Sequence, residues 1–520
     1  MVLPLALAAL LPIPLIYASP YYSAVQRVLF PQPSEYTSDL TSSHPSLVPD
    51  VAGLPNVATR LEVTSRANLT LDCALVDDQS TAGYAHFTNA AGVEDKHMFW
   101  WLFKARNGWE DAPVVLVHGG GPGSSGMFMP FSGAGHCRLA VDEEGKGTLV
   151  PAKYSWTEEV NVLAVDYPVG AGFSYGTQSS LRNSSERAAW DLDDFLQAFW
   201  AKYPELVKNK FLYQSASYGG VYVPNTVSVI YSRNLAAQAD PSSTRLLKMP
   251  ESIMIGNGMS DWALNWRYWI QGNCYDNPIF NRTGCDLAIG LINECLDASQ
   301  LAYEEPSLAN RVRADELCMS RIYDLVPAVG STGRNPYHAT QKCDFYDSFS
   351  CFPEMRWLNE VANSGAFRRV IGVSEDYEYV FSDRKHVFKP FHANGDIVQS
   401  AYKLLAPAIE AGLRVMVYNG NTDGVCTWRS GLAWMKLLKT KHRDAFNAAP
   451  DVDWPGIGWV RTVGVGAGDY AFVSIDDAGH FAEWDREEAY RDILLKWLRN
   501  EPFVSARGTR AETSVSSDRS

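Results

Sequence analysis

The chain has 520 residues, 46% of them hydrophobic and 20% charged, with a formal net charge of −14. This balance describes a globular protein of one large or two ordinary domains and excludes a disordered chain. No basic stripe accompanies the acidic total, which argues against a nucleic-acid partner. The run Lys439-Thr440-Lys441-His442-Arg443 reads as a solvated helix face. Sixteen Trp and 25 Tyr suit either a large core or a pocket for a bulky ligand.

Residues 2–18 are apolar and end Ile16-Tyr17-Ala18 before Ser19-Pro20, the pattern of a cleavable signal peptide over 1–18 that lacks a basic n-region. The alternative is a membrane anchor. The stretch is at the short limit for a span and is interrupted by Pro4, Pro12 and Pro14, so no stable anchor is expected. An N-terminal extension covers 19–74. Three sequons, at Asn68, Asn183 and Asn281, agree with export to the secretory pathway and a secreted or vacuolar location.

From 75 to 261 and again from 384 to 504 the pattern is that of an α/β core. Apolar, β-branched runs recur at Val114–Val117, Val162–Val165, Phe211–Tyr213, Ile253–Ile255, Val415–Tyr418 and Phe472–Ile475. Helical patterns such as Ala188–Phe199 lie between them, which predicts a mostly parallel sheet with helices on both faces. The last helix shows one apolar face, Tyr490, Ile493, Leu494, Trp497 and Leu498, and Asp485 and Glu488 have capping-box spacing at its start. Residues 262–383 break the rhythm and read as a cap inserted over the carboxyl edge of the sheet, where ligands bind in open α/β folds. Six of the nine cysteines crowd there (Cys274, Cys285, Cys295, Cys318, Cys343, Cys351). In an exported chain they read as disulfides; a zinc site would need paired Cys-x-x-Cys spacing, which is missing. The odd total leaves one thiol free or joined to another chain. Residues 505–520 are a polar tail, expected to be disordered.

Three segments carry chemistry. Phe211–Ala216 runs into Ser217-Tyr218-Gly219-Gly220, similar to the Gly-x-Ser-x-Gly elbow that lifts a serine hydroxyl above a sheet, with Ser215 in place of the first glycine. Val117-His118-Gly119-Gly120-Gly121-Pro122-Gly123 follows another strand. Its glycines allow backbone N–H groups to approach a developing oxyanion. No Gly-Lys-Ser/Thr follows, so it is not a P-loop, and neither metal nor cofactor is expected. Asp423 sits on a turn after Val417-Tyr418, and His480 on the loop before the last helix. The order Ser, Asp, His is that of α/β-hydrolases. A serine hydroxyl needs a base, and the base an orienting acid. These residues predict a serine hydrolase with catalytic Ser217, Asp423 and His480, acting on a small-molecule or peptide substrate.

The chain is similar to the serine carboxypeptidases, which include the yeast vacuolar and fungal carboxypeptidases and the plant carboxypeptidase-like acyltransferases. The resemblance spans about 75–500. It rests on His97-Met98-Phe99-Trp100-Trp101, Gly120-Gly121-Pro122-Gly123, Tyr154-Ser155-Trp156 through Asn161-Val162-Leu163, and Pro168-Val169-Gly170-Ala171-Gly172-Phe173-Ser174-Tyr175. Further on it rests on Ser217-Tyr218-Gly219-Gly220-Val221-Tyr222-Val223-Pro224, Ile255-Gly256-Asn257-Gly258 and Ala478-Gly479-His480. It implies an α/β-hydrolase fold, an oxyanion hole from the N–H groups of Gly121 and Tyr218, and a free thiol at Cys426 with the other eight cysteines in four bridges. The resemblance also exposes departures. Family members grip the substrate's terminal carboxylate with an Asn before the glycine run, a Glu before the nucleophile and a supporting Glu. Here those positions are Gly119, Ala216 and Gly133, and the family's glycine-loop Cys is Ser124. Gly119, Gly120 and Ala216 are thus expected to face the substrate without a clamp. Three functions follow as alternatives: a carboxypeptidase with a rebuilt clamp, using Arg429 or a cap residue; an esterase or acyltransferase on a substrate without a free carboxylate; and a catalytically silent binding protein.

Overall fold

The computed structural model describes residues 58–65, 71–75, 78–343 and 351–504. The signal segment 1–18, the sequon at Asn68 and the tail 505–520 lie outside these residues.

An antiparallel wing opens the fold: β1 (Thr59–Val63), β2 (Ser80–Thr88) and β3 (Glu94–Phe103). Strand β3 buries Phe99, Trp100, Trp101, Leu102 and Phe103 in succession, so it is covered on both faces. Next come β4 (Val114–His118), a separate hairpin of β5 (Cys137–Val141) and β6 (Gly147–Pro151), then β7 (Asn161–Val165) and the short β8 (Tyr175–Gly176). Helix α1 (Ser185–Lys202) starts where the Ser184 hydroxyl accepts from Arg187 N–H. Strand β9 (Phe211–Ala216) leads into helix α2 (Gly219–Ala239), and β10 (Ser252–Gly256) follows.

From Gly256 the chain makes a long excursion and returns on the neighbouring strand β13 (Arg414–Gly420), which pairs in parallel with β10. The excursion contains α3 (Trp262–Gln271), α4 (Arg282–Glu304), α5 (Leu308–Cys318) and a hairpin of β11 (Arg334–Asn335) and β12 (His338–Lys342). Asn281 is exposed and caps α4 through its side-chain oxygen, which accepts from Gly284 N–H; Asn183 is exposed as well. After β13 come α6 (Trp428–Leu437), β14 (Val452–Trp454), β15 (Gly458–Val463), β16 (Tyr470–Ile475), α7 (Ala482–Asp485) and α8 (Glu487–Arg499).

One sheet runs in the order β1-β2-β3-β7-β4-β9-β10-β13-β16-β15-β14, with β8 on β3. Its centre, β7 to β16, is parallel, and its two wings are antiparallel. All six apolar runs named above are strands of this sheet. Each is fully buried because both of its faces are covered.

Two local expectations are corrected. Asp485 does not cap the last helix: α8 begins after Arg486 with no side-chain cap, and Asp485 accepts from Gly479 N–H at 2.7 Å. Its carboxylate satisfies a part-buried loop N–H instead, while Glu488 accepts from the Tyr154 hydroxyl. The basic run 439–443 is not a helix face; residues 439–442 form the turn between α6 and the short helix Arg443–Ala448, which Arg443 begins.

The eight bridged cysteines pair as Cys73–Cys137, Cys274–Cys285, Cys295–Cys318 and Cys343–Cys351, and Cys426 is the free thiol. Among the described residues no helix is long and apolar enough to cross a membrane.

Helices α1 and α2 are joined by buried charge. Arg233 of α2 donates to Asp193 at 2.7 Å and to Asp194 at 2.8 Å, and Arg245 also reaches Asp193 at 2.7 Å. Arg233→Leu removes the cation that Asp193 and Asp194 share inside the protein. The expected loss is about 3–5 kcal/mol of folding stability, read as a lowered midpoint in chemical denaturation.

Candidate active site

Strand β9 ends at Ala216, and Ser217 turns the chain at φ 60°, a left-handed value that non-glycine residues seldom adopt. The turn is fixed from both sides: Ser217 N–H donates to Gly256 O at 3.0 Å, and Ser217 O accepts from Met259 N–H at 3.0 Å and Gly220 N–H at 2.9 Å. Ser215 is tolerated where the elbow pattern has glycine because its hydroxyl donates to His118 O at 3.0 Å, linking β9 to the end of β4. Gly219 cannot be replaced, since a Cβ there would stand 2.3 Å from Ser215 Oγ.

The glycine loop 119–123 is pressed against this elbow: a Cβ on Gly120 would lie 2.8 Å from Tyr218 N. The backbone N–H of Tyr218 and the loop therefore share one small space beside Ser217. Asp166 braces the loop by accepting from Ser125 Oγ at 2.5 Å and Gly126 N–H at 2.8 Å, and burial pushes its carboxyl up to about 6. His118 donates from Nδ1 to Gly119 O at 2.8 Å and accepts at Nε2 from Tyr213 OH at 2.6 Å. Burial lowers it to about 4, so it stays neutral.

Asp423 and His480 leave the ends of β13 and β16 and meet. His480 Nδ1 lies 2.9 Å from Asp423 Oδ2, and both residues are buried. With Nδ1–H given to the carboxylate, Nε2 is left as the basic nitrogen. Asp423 accepts three further bonds, from Asn257 Nδ2 at 2.7 Å, Val425 N–H at 2.7 Å and Cys426 N–H at 3.2 Å. Burial alone would lower the imidazole's pKa, but the charge of Asp423 and its hydrogen bond overcome this and hold His480 above the usual histidine value.

The β11–β12 hairpin latches onto both loops. His480 N–H donates to Tyr337 O at 2.7 Å, Gly424 N–H to Pro336 O at 2.9 Å and Ala339 N–H to Thr422 O at 2.9 Å. Another part of the excursion lies along the glycine loop, with Ser125 N–H on Phe381 O at 2.7 Å and Asp383 N–H on Gly123 O at 3.0 Å.

Ser217, Tyr218, Gly119, Gly120, Gly121, Ala216 and His480 all line one cavity of about 450 Å³, and Asp423 stands behind His480. The same cavity is lined by aromatic side chains of the excursion, Trp262, Trp266, Trp269 and Tyr323. The structure thus brings together every expected catalytic, oxyanion and substrate-facing position. Gly133 is not among the lining residues; it adjoins a separate small void beside Glu487. Arg429 is also absent from the cavity and is engaged by Asp276 through contacts of 2.5 and 2.9 Å, so the sequence-based suggestion that it rebuilds a clamp fails. Among the described residues no group of three or more His, Cys, Asp or Glu is placed to hold a metal.

Sequence reasoning missed three residues. Asn257, at φ 43°, holds Asp423 and also donates to Gly479 O at 3.2 Å, tying both triad loops to the end of β10. Its signal was available, since Asn between two glycines after an apolar strand marks a turn. Asp485 has the spacing of a helix cap, which hides its bond to the Gly479 N–H. Glu483, on the cavity wall, had no signal in the sequence.

The parallel sheet, the strained serine between strand and helix, and the buried His–Asp pair define a serine hydrolase of the α/β-hydrolase fold. The family described as serine carboxypeptidase matches residues 73–500, and the chain belongs to that family. It is 30% identical over 423 residues to carboxypeptidase Y homolog A of Arthroderma otae, covering 78% of this chain and 72% of that one. It is 26% identical over 410 residues to carboxypeptidase Y of Komagataella phaffii, covering 78% and 74%. Among solved structures, the prohormone-processing carboxypeptidase Kex1(Δ)p of Saccharomyces cerevisiae superimposes with a TM-score of 0.65 at 18% identity, over 80% of this chain and 90% of that one.

Cys426 lies 3% exposed beside Asp423, and burial together with that charge raises its thiol well above the usual cysteine value. A thiol reagent applied to the native protein at pH 8 should therefore find no reactive cysteine, because the thiolate is the attacking species. After unfolding without reductant, one thiol per chain should react.

Proposed function

We propose that the chain is a serine-type hydrolase that works through an acyl-enzyme. Ser217 is the nucleophile, His480 the base, Asp423 the orienting acid, and the N–H groups of Gly121 and Tyr218 are the oxyanion hole. The observation that carries this reading is the meeting, on one cavity, of a serine at positive φ with a buried histidine whose Nδ1 is committed to a carboxylate. His480 Nε2 takes the Ser217 proton as Oγ adds to the acyl carbon, then gives it to the leaving group. The oxyanion formed in that addition is met by these two N–H groups, each worth about 2.7–4 kcal/mol of transition-state stabilisation. Water, or another hydroxyl, then takes the acyl group by the reverse proton route.

Family membership favours carboxypeptidase activity. A second reading, esterase or acyl transfer, is favoured by the missing clamp. A Cβ on Gly119 would stand 2.2 Å from Ser124 O, so this loop has no room for the family's Asn. Ala216 lines the cavity with a methyl group, and Gly133 adjoins a different void. Without hydrogen-bonding side chains at these three positions, the site lacks the family's contacts that favour a free C-terminus over a neutral substrate. Passage through the secretory pathway is proposed from the four disulfides, which require an oxidising compartment.

Ser217→Ala should abolish labelling by a fluorophosphonate, which needs the activated serine. Labelling that survives in this variant would refute the nucleophile.

Hydrolysis of a neutral ester supplies the second check. His480 must be neutral to act, and its pKa is held above the usual value. The kcat/KM profile should therefore rise through one limb displaced to the alkaline side of about 6.5, the value of an ordinary histidine. A limb at or below that value would mean that Asp423 does not support the base.

A further inference from the structure

The acyl-transfer chemistry proposed above uses the backbone N–H of Tyr218 and leaves its phenol without a task. Yet Tyr218 is 1% exposed, and its hydroxyl donates to Asp396 Oδ2 at 2.8 Å. Tyr218 stands between the nucleophile and the first residue of α2. Ring and N–H hang on the same Cα, so whatever fixes the ring also fixes the N–H.

Asp396 belongs to the excursion, just after the short helix Lys389–Ala393, and is 6% exposed. Both oxygens of its carboxyl accept hydrogen bonds. Oδ1 takes the Ser185 N–H at 3.0 Å, and Oδ2 takes the Ser185 hydroxyl together with that of Tyr218. Burial raises the Asp396 carboxyl, while the bonds from Ser185 and Tyr218 and the charge of Arg311 oppose the rise.

The turn that carries Asp396 is itself pinned. Asp396 O accepts from Gln399 Nε2 at 2.5 Å, and Gln399 Oε1 accepts from Asn225 Nδ2 of α2 at 3.1 Å. Gln399 O accepts from the N–H of Trp262, the first residue of α3, at 3.2 Å. With Ser185 opening α1, the turn is tied to the starts of two helices and to the body of a third. It gives Tyr218 a fixed point outside the elbow.

The other contacts of the ring are apolar. Tyr222 meets it edge-on at 4.8 Å between centroids, and Phe391 at 6.4 Å. Such contacts fill space but leave a ring free to slide; the bond to Asp396 has direction. The elbow needs that direction, because Ser217 holds a strained φ that persists only when its surroundings over-determine it.

We propose that Asp396 is a positioning residue for the oxyanion hole. Through the Tyr218 hydroxyl it keeps the Tyr218 N–H aimed at the oxyanion formed on Ser217, and so sets kcat from within the excursion. This rests on the acyl-enzyme reading above. An oxyanion donor acts by standing in place before the charge develops, and a displacement of about 1 Å costs on the order of a hundredfold in rate.

Tyr218→Phe removes the hydroxyl and keeps both ring and N–H. On a neutral ester, with rates normalised to sites titrated by a fluorophosphonate, kcat should fall about ten- to a hundredfold with KM unchanged. Affinity for an alkyl boronic acid, whose adduct with Ser217 is a tetrahedral anion, should fall by the same factor, since adduct and transition state place their charge in the same hole. The limb of the kcat/KM profile should keep its wild-type position, because His480 and Asp423 are untouched. Asp396→Ala should lower kcat by a like factor, and in the double variant the two losses should not multiply, since each removes the same contact. Wild-type kcat in Tyr218→Phe overturns the proposal, whether or not Asp396→Ala folds. A raised KM at unchanged kcat, a displaced pH limb, or losses that multiply in the double variant also overturn it. Absence of fluorophosphonate labelling in the wild type would instead refute the acyl-enzyme reading on which the proposal rests.

Discussion

The carboxylate of Asp423 is the point on which the site depends. It is buried, it carries charge, and it survives there because four donors converge on it: Asn257 Nδ2, the N–H groups of Val425 and Cys426, and His480 Nδ1. A charge in such a place is tolerable only when hydrogen-bonded on both oxygens. Those donors come from the ends of β10, β13 and β16, so satisfying the carboxylate also brings three strand ends and their loops into one arrangement. The parallel register β10–β13–β16 makes this possible, since all three chains leave the sheet at the same edge.

The remaining buried acids divide into two kinds. Asp193 and Asp194 are matched by Arg233 and hold helices together. Asp166 and Glu483 have no cation beside them, and burial raises both. Asp166 is nonetheless well served, with hydroxyl and backbone donors that brace the glycine loop. Glu483 lacks such a set. The contrast separates a carboxyl with a full set of donors from one whose hydrogen bonding is incomplete.

Much of this was legible in the sequence, for particular reasons. The central strands are fully buried and read as unbroken apolar runs. The elbow and the His480 loop follow such runs directly, so their chemistry could be located. The antiparallel wings were harder to see: β2 carries Gly83 and His86, and β14 is only three residues long, so neither looks like a buried β-branched run. Asp485 and Glu488 have the spacing of a capping box, yet spacing says nothing about a competing donor. The N–H of Gly479, far from any helix start, takes the Asp485 carboxylate. Glu483 was invisible for a related reason. Its environment is assembled from β13, α8, the cavity and the void near Gly133, which meet only in three dimensions.

The β11–β12 hairpin belongs to the excursion that walls the cavity, yet its backbone also grips the loops of Asp423 and His480. The cavity wall is thus also the jig that aligns the base. An excursion borrowed from a relative would bring new walls and at the same time move Pro336, Tyr337 and Ala339, on which those two loops hang. Substrate choice and catalytic rate are therefore not independent variables in this architecture. A lineage changing its diet must re-seat its histidine in the same step.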